Sequence, residues 1–316
     1  MVIACTVPTL ICLLVLAQEP IRVDVDVVNV LCTVYDKQGA LVKDLKREDF
    51  RILEDRKPQQ IRYFAREANL PLTVALLVDV SGSVRRFVTE EKDTAAKFLQ
   101  DVLRPDDQAL LVGFSSTVVL WQDFTSSAAM LRTALQRLRP VPFRGLPAVG
   151  DPMPSTLLFD AVYETAGGKL KDVTGRKVMV IISDGLDNGS RIHLDAAAKQ
   201  VQAMNTVVYG ICYQTPQGGT FGCDYLKNLS EPTGGRMFQV GKKVSLSEIF
   251  QTIQEEMRSQ YALGYVSTNQ AHDGAFRKLQ VKVTQKGMRV QTRKGYYAPG
   301  QYGPAPPGHA IQRLLD

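Results

Sequence analysis

Histidine is scarce in this chain of 316 residues, and the three present, His193, His272 and His309, lie far apart. None of them forms the H-E-x-x-H spacing that places two zinc ligands on one helix face, which excludes that type of zinc hydrolase. The chain also lacks the G-x-S-x-G motif of α/β-hydrolases and a phosphate-binding P-loop. These absences argue against an enzyme that works by such chemistry.

Long apolar runs are missing as well, apart from residues 1–17, which carry no charge. This run falls short of the roughly 20 residues that a membrane-spanning helix needs. Val15 and Ala17 stand at the −3 and −1 positions before polar Gln18, as at a secretory cleavage site. Residues 1–17 are therefore predicted to be a signal peptide, which would place the mature protein outside the cell, in the periplasm or in the cell envelope. Because no Lys or Arg precedes the run, an uncleaved N-terminal anchor is the alternative.

Cysteine is limited to five residues, of which Cys32, Cys212 and Cys223 remain once the signal peptide is removed. In a compartment that permits disulfides, Cys212 and Cys223 are candidates to bridge a short Gly-rich loop. Cys32 lies in an apolar strand pattern and is then expected to be a buried free thiol. Since three is an odd number, at least one cysteine stays unpaired or pairs between chains.

Charge is unevenly distributed, although the composition, with 45% hydrophobic and 22% charged residues, is that of a globular protein of about two domains. The net charge of +6 comes from residues 259–316, which hold eight basic and two acidic residues. Such a segment can meet an anionic surface, but a solvated face of a strand pair is the interpretation we favour. No nucleic-acid partner is expected, and membrane contact is expected only through this basic segment.

Hydrophobic patterning predicts an α/β fold flanked by β structure on both sides. Residues 72–78 form a near-continuous apolar run, typical of a strand buried on both faces of a parallel sheet. Strands and helices alternate through residues 70–258, which predicts a doubly wound, mostly parallel sheet. The β segments 18–69 and 259–298 are predicted to form one small sandwich into which the α/β domain is inserted. Residues 299–316 are predicted to be a disordered tail.

Five oxygen-bearing side chains follow predicted strands or precede a predicted helix, where the open edge of an α/β sheet binds ligands. Neutral hydroxyls and carboxylates from several loops suit a hard cation such as Mg²⁺, Ca²⁺ or Mn²⁺ rather than zinc. Taken singly, the hydroxyls are equally explained as helix N-caps and the second aspartate as a turn residue. The five candidate metal ligands are Asp79, Ser81, Ser83, Thr156 and Asp184.

These residues carry a resemblance to a known family. The pentapeptide Asp79-Val80-Ser81-Gly82-Ser83 matches the Asp-x-Ser-x-Ser motif of von Willebrand factor type A domains, and Thr156 and Asp184 match the family's threonine and second aspartate. Residues 70–258 therefore resemble such a domain with an intact metal-ion-dependent adhesion site, or MIDAS. One departure is Pro154-Ser155, which stands where family members often have two glycines.

The flanking segments carry a narrower resemblance. Asp49-Phe50 and Glu54-Asp55 before the domain, and the segment Arg293-Lys294-Gly295-Tyr296-Tyr297 after it, are similar to bacterial secreted "VWFA-related" proteins of the acidobacterial type.

The family resemblance implies that two serines and the threonine contact the metal directly, while the aspartates often act through water. Because neutral hydroxyls leave the cation's charge poorly compensated, a partner's Glu or Asp carboxylate completes the coordination. The resemblance therefore implies a cation-dependent, adhesion-type protein-binding module that is not an enzyme. The alternatives are a metal-assisted hydrolase and an assembly factor that works with an ATPase partner.

Three further polar residues near these motifs are weaker candidates. Asp187 and Asn188 are weighed as indirect or secondary metal ligands, although solvated loop side chains are the favoured interpretation. Asp160 is weighed in the same way, and a favourable charge near the positive end of a helix dipole is the favoured interpretation for it.

Overall fold

The computed structural model of the chain describes residues 27–66, 70–84, 88, 91–140, 155–213, 221–300 and 311–313. The predicted signal peptide lies outside the described residues. None of the helices in these ranges is long and apolar enough to cross a membrane. Fifteen strands are described, in chain order β1 (Val27–Tyr35), β2 (Phe50–Glu54), β3 (Lys57–Gln59), β4 (Ile61–Arg66), β5 (Leu72–Asp79), β6 (Gln108–Phe114), β7 (Val118–Thr125), β8 (Arg176–Ser183), β9 (Thr206–Tyr213), β10 (Met237–Val240), β11 (Tyr261–Val266), β12 (Phe276–Val283), β13 (Arg289–Thr292), β14 (Gly295–Tyr297) and β15 (Gln312–Arg313).

Six α-helices accompany these strands within the same ranges, all of them between β5 and β11. They are α1 (Lys92–Val102), α2 (Ala128–Arg137), α3 (Leu158–Glu164), α4 (Leu194–Ala203), α5 (Phe221–Ser230) and α6 (Leu246–Arg258). Helix α3 continues as one π-helical turn, Thr165–Lys169. Short 3₁₀ turns occupy Arg47–Asp49 and Gly82–Val84.

The central sheet has seven strands in the order β10-β9-β8-β5-β6-β7-β15. All neighbours run parallel except β6 and β7. Every residue of β5 and β8 is buried, because α1, α2 and α6 cover one face of the sheet and α3, α4 and α5 cover the other. The predicted doubly wound, mostly parallel fold is confirmed.

Two antiparallel sheets lie beside this domain, in the orders β13-β1-β11-β4 and β14-β12-β2-β3. Each contains strands from both ends of the chain, for example β1 paired with β11 and β2 paired with β12. Residues of both sheets, among them Val30, Ile52, Leu263 and Val281, share one apolar core. This arrangement is consistent with the predicted sandwich into which the α/β domain is inserted.

Several predicted elements differ from the observed ones. The sequence pattern predicts one strand at residues 288–297, whereas the structure has two strands there, β13 and β14, which belong to different sheets. The change of sheet falls at Arg293, which forms an isolated bridge with Thr233 of the α/β part. Within the segment 299–316, which is predicted to be a disordered tail, the described residues Gln312–Arg313 form β15, which extends the central sheet beside β7. Ile311 packs on the apolar core there, which explains why this short stretch is ordered.

Candidate metal site

Asp79, the last residue of β5, is completely buried at the carboxyl edge of the central sheet. Its Oδ1 accepts a hydrogen bond of 2.8 Å from the backbone N–H of Ser81, and its Oδ2 accepts one of 2.6 Å from Oγ of Ser183. Ser183 lies close by because β5 and β8 are parallel neighbours that end together. Asp79 is thus fixed by its own loop and by the adjacent strand.

Burial of the ionised Asp79 carboxylate is energetically unfavourable. Loss of hydration raises the pKa of its carboxyl from 3.8 to about 6, and the hydrogen bonds from Ser183 and Ser81 only partly offset this effect. The negative charge of Asp184, which follows β8 at the same edge of the sheet, raises this pKa further. A bound cation would favour the ionised form of Asp79.

Asp184 follows β8 directly and is 3% exposed. Its Oδ1 accepts a hydrogen bond of 3.1 Å from the N–H of Leu186, and the N–H of Gly185 donates to Oγ of Ser183 over 2.9 Å. Gly185 has a φ of +79°, and a Cβ at this position would collide with the carbonyl oxygen of Gly222. The Asp184 loop is therefore packed tightly against the start of α5.

A disulfide bond lies next to the same loop. Cys212 and Cys223 are bonded, with their Cα atoms 5.6 Å apart, and so connect the end of β9 to the start of α5. Cys212 is the register neighbour of Ser183, and its Sγ lies 3.7 Å from the carbonyl oxygen of Asp184. Cys32 is a buried free thiol within the described residues. The bonded pair, Cys212 and Cys223, is the candidate pair predicted from the sequence.

Thr156 reaches the same edge from a third loop. Its N–H donates to Oδ1 of Asn188 over 2.7 Å, and the N–H of Asn188 donates back to its carbonyl oxygen over 3.3 Å. The next residue, Leu157, donates its N–H to the carbonyl oxygen of Ser115, just beyond the end of β6. Thr156 is thereby held between β6 and the loop that follows Asp184, and it is 8% exposed.

The structure brings four of the five sequence candidates to one edge of the sheet. Asp79, Ser81, Thr156 and Asp184 lie on three loops at the carboxyl ends of β5 and β8 or beside the end of β6. Ser83 follows in the 3₁₀ turn after Ser81, and its side chain lies outside the description. All available donors are carboxylate or hydroxyl oxygens, a set that fits a hard divalent cation. In the described ranges no three His, Cys, Asp or Glu side chains cluster as a metal site by themselves.

The weaker candidates tie the loops together. Asp187 accepts the N–H of Phe159 over 2.9 Å and the hydroxyl of Ser190 over 2.6 Å. Asp160 is completely buried, and its Oδ1 accepts the N–H of Ile192 over 2.9 Å. Asp160 lies in the first turn of α3, where the helix-dipole interpretation places it, and both carboxylates make loop contacts that the sequence did not predict. Both carboxylates hold the start of α3 against the loop after β8.

Ser183 is the site residue that the sequence analysis did not single out. Its hydroxyl joins Asp79 to the N–H of Gly185 and so links two of the metal-ligand loops. The predicted parallel pairing of β5 with β8 could have indicated it, because Ser183 is the polar last residue of β8 and lies beside Asp79, the last residue of β5. Asn188 holds Thr156 in a similar way, but a loop residue of this kind leaves no periodic signal.

Fold and site together define a doubly wound α/β domain that gathers oxygen donors at the carboxyl edge of its sheet. Residues 74–186 match the family model of the von Willebrand factor type A domain. The matched residues run from β5 to just past β8 and include Asp79, Ser81, Thr156 and Asp184, so the chain is similar to this family there. No curated protein sequence matches the chain.

Several solved structures are similar to this chain at low sequence identity. Proximal thread matrix protein 1 from the mussel byssus, with a zinc-occupied MIDAS motif, is 16% identical with a TM-score of 0.50, and the match covers 63% of this chain and 48% of that one. The vWF domain of the type V pili tip protein Mfa5 from Porphyromonas gingivalis is 12% identical with a TM-score of 0.47, over 59% and 94% of the two chains. The D319A mutant of the PilB minor pilin from Streptococcus sanguinis is 12% identical with a TM-score of 0.45, over 60% and 62%. The match thus spans about half the length of the mussel protein.

Proposed function

We propose that the α/β domain of this chain, which is similar to von Willebrand factor type A domains, is a divalent-cation-dependent, adhesion-type module that binds an acidic residue of a protein partner. The observation that carries the proposal is the meeting of two buried carboxylates, Asp79 and Asp184, with Thr156 at one edge of the sheet. Two adjacent buried carboxylates repel each other, and a cation between them removes that cost. Domains of this family generally mediate interactions between proteins, which agrees with the proposal.

The cation would be held by Asp79, Ser81, Ser83, Thr156 and Asp184. When bound, it supplies a positive charge that the neutral hydroxyls compensate poorly, so that a carboxylate from outside completes its shell. The chain's own residues prepare this arrangement. Ser183 orients the Asp79 carboxylate, and Asn188 holds the backbone of Thr156 in place.

The role proposed for this edge is binding rather than turnover. In the described part of the site, the hydroxyl of Ser183 and the N–H of Ser81 donate hydrogen bonds to Asp79. They orient a carboxylate but supply no general acid or base for hydrolysis. We also propose that the module acts in the cell envelope or outside the cell, as the N-terminal sequence predicts.

The first experiment measures cation binding by calorimetry on the mature chain, with Mg²⁺, Ca²⁺, Mn²⁺ and Zn²⁺ in turn. Zinc is included because the mussel protein of the same fold carries it in its MIDAS motif. We expect Asp79→Asn to weaken binding at least tenfold. The matched control is Asp101→Asn, which alters an exposed carboxylate of α1 and should leave affinity unchanged. Equal affinities for the natural chain and Asp79→Asn would overturn the metal site.

The second experiment tests the partner. The immobilised chain is incubated with native envelope proteins in Mg²⁺ or in EDTA, and captured proteins are compared with those held by Asp79→Asn and Asp101→Asn. Capture by the natural chain and Asp101→Asn in Mg²⁺ only, and not by Asp79→Asn, supports adhesion through the cation. Capture that persists in EDTA refutes it.

A further inference from the structure

A cavity of about 580 Å³ separates the α/β domain from the sandwich. Its walls come from the second half of α4, the start of β1, the segment after β11, the region of β14 and Tyr163 of α3. Asn205, one of the lining residues, directly precedes β9. The cavity therefore lies near the amino-terminal edge of the central sheet, opposite the edge that holds Asp79 and Asp184. Its size is that of a site for a small molecule.

The described lining carries three basic side chains. Lys199, His272 and Arg293 contribute to it, whereas no Asp or Glu lines the cavity within the described residues. Lys199 lies with its Nζ 4.7 Å from the ring centroid of Tyr297. Six side-chain amides complete the polar part of the wall, those of Asn29, Gln200, Gln202, Asn205, Asn269 and Gln270.

Arg293 is the most unusual member of this lining, because it is a buried charge surrounded by neutral groups. It is 9% exposed, and its guanidinium donates to Oδ1 of Asn205 and to the carbonyl oxygen of Asn29, both over 2.6 Å. Its Nε is buried and makes no hydrogen bond in the described structure, and the Tyr296 ring centroid lies 5.3 Å from its Cζ. No carboxylate of the described residues forms an ion pair with it.

The nearby acid of the sandwich core is already engaged. Glu54, which is 2% exposed, accepts hydrogen bonds from the hydroxyls of Tyr265 over 2.6 Å and Tyr296 over 2.8 Å. Burial lowers the pKa of Arg293 to about 10, so it remains a cation at neutral pH. A buried charge without a counter-charge is costly, and an anion in the cavity would relieve that cost.

We propose that this cavity binds a small organic anion that carries hydroxyl groups, of which an acidic sugar is the model. The guanidinium of Arg293, which has no counter-charge among the described residues, attracts the carboxylate, and side-chain amides both donate to and accept from hydroxyl groups. The partly buried ring of Tyr297 adds apolar surface to the same wall. The proposal is independent of the metal site, which lies at the other edge of the sheet.

The test is calorimetry on the full mature chain in EDTA, so that no cation at the metal site can hold the carboxylate. The probes are glucuronate, glucose and inorganic phosphate. We expect glucuronate to bind at least tenfold more tightly than glucose. Absence of glucuronate binding, or equal affinity for glucose, would overturn the proposal. Binding of phosphate without glucuronate would also overturn it, because a hydroxyl-bearing ligand would then be wrong.

Variants assign the binding to the cavity. Lys199→Gln should weaken glucuronate about tenfold, since one charge-assisted contact is lost, whereas Lys227→Gln, an exposed change on α5, should have no effect. Arg293→Lys keeps the charge but loses the paired hydrogen bonds. Its affinity for glucuronate is measured at a temperature at which the variant is folded. Unchanged affinity in both cavity variants refutes the assignment.

One other occupant is distinguished by the same assay. Asp24 and Asp26 immediately precede Val27, which lines the cavity. If glucuronate binds only after the double change Asp24→Asn and Asp26→Asn, the chain's own carboxylates are the occupant and the proposal is wrong. If the natural chain and the double variant bind it alike, the proposal stands.

Discussion

Asp79→Asn is expected to stabilise the fold when no cation is present. Asp79 is completely buried, and its pKa is raised from 3.8 to about 6. One pKa unit corresponds to about 1.4 kcal/mol, so the ionised carboxylate costs the folded chain about 3 kcal/mol at pH 7. The asparagine keeps an acceptor for the N–H of Ser81 and carries no charge. In EDTA at pH 7, its free energy of unfolding should therefore exceed that of the natural chain by up to about 3 kcal/mol.

The same effect predicts how the free energy of unfolding changes with pH. Because the folded pKa of Asp79 lies above the unfolded one, the natural chain loses stability as pH rises from about 4 to about 6. Asp79→Asn removes this contribution, so the difference between the two proteins should vanish near pH 4 and be complete at pH 7. Urea unfolding in EDTA at both pH values measures it. A variant that is less stable than the natural chain at pH 7 would refute the reasoning.

Saturation with the cation should shrink the advantage of Asp79→Asn. A cation that binds only the native chain stabilises it by about 4 kcal/mol at 1,000 times its Kd, whereas a variant that binds tenfold more weakly gains about 2.7 kcal/mol at the same concentration. The difference of about 3 kcal/mol between the two proteins should therefore fall by about 1.4 kcal/mol for each tenfold loss of affinity. Asp79→Ala serves as the contrast, because it leaves the Ser183 hydroxyl and the Ser81 N–H without their acceptor and should be destabilised with or without cation. Equal stabilisation of the natural chain and Asp79→Asn by Mg²⁺ would contradict the site.

Three further predictions concern stability. Ser245→Ala removes the capping hydrogen bond at the start of α6 and should lower the free energy of unfolding by about 1 kcal/mol in urea. Replacing Cys212 and Cys223 together by serine should lower it by about 2–4 kcal/mol and weaken Mg²⁺ binding, whereas unchanged Mg²⁺ affinity relative to Cys32→Ser would show that the disulfide does not support the Asp184 loop. Burial and the bond to Glu54 raise the pKa of Tyr296 to about 12, so stability should fall from about pH 10 to 12, and Tyr296→Phe should flatten that fall in alkaline unfolding followed by fluorescence.

The sequence predicted the α/β core well because its strands are buried on both faces. A run such as 72–78 is apolar at every position but one and leaves little choice of environment. Parallel strands that end together also made it possible to predict that Asp79 and Asp184 share an edge. The Asp-x-Ser-x-Ser motif and the predicted parallel sheet were each weak evidence alone, but both pointed to the same edge of the sheet.

Other features depend on tertiary contacts that leave no periodic pattern in the sequence. The strand pattern across 288–297 continues through Arg293, so nothing marks the point where the chain changes sheet; the bridge with Thr233 is a tertiary contact. Asn188 and Asp187 look like ordinary loop residues until the opposing backbone N–H groups are in place. The cavity could not be predicted from the sequence either, because its walls come from five segments that are far apart in the chain, one of them α3 with Tyr163.

The two proposed ligand sites should act independently, since they lie at opposite edges of one rigid sheet. Coupling requires an element with two arrangements that both ligands bias, whereas β8 and β9, which connect the edges, are buried along their whole length. Lys199→Gln should therefore change the Kd for Mg²⁺ by less than about twofold, and Asp79→Asn should leave glucuronate affinity in EDTA unchanged. Calorimetry of both variants with both probes tests this. A tenfold effect of either change on the distant ligand would show that the sheet or α4 moves, and would require a second conformation of the domain.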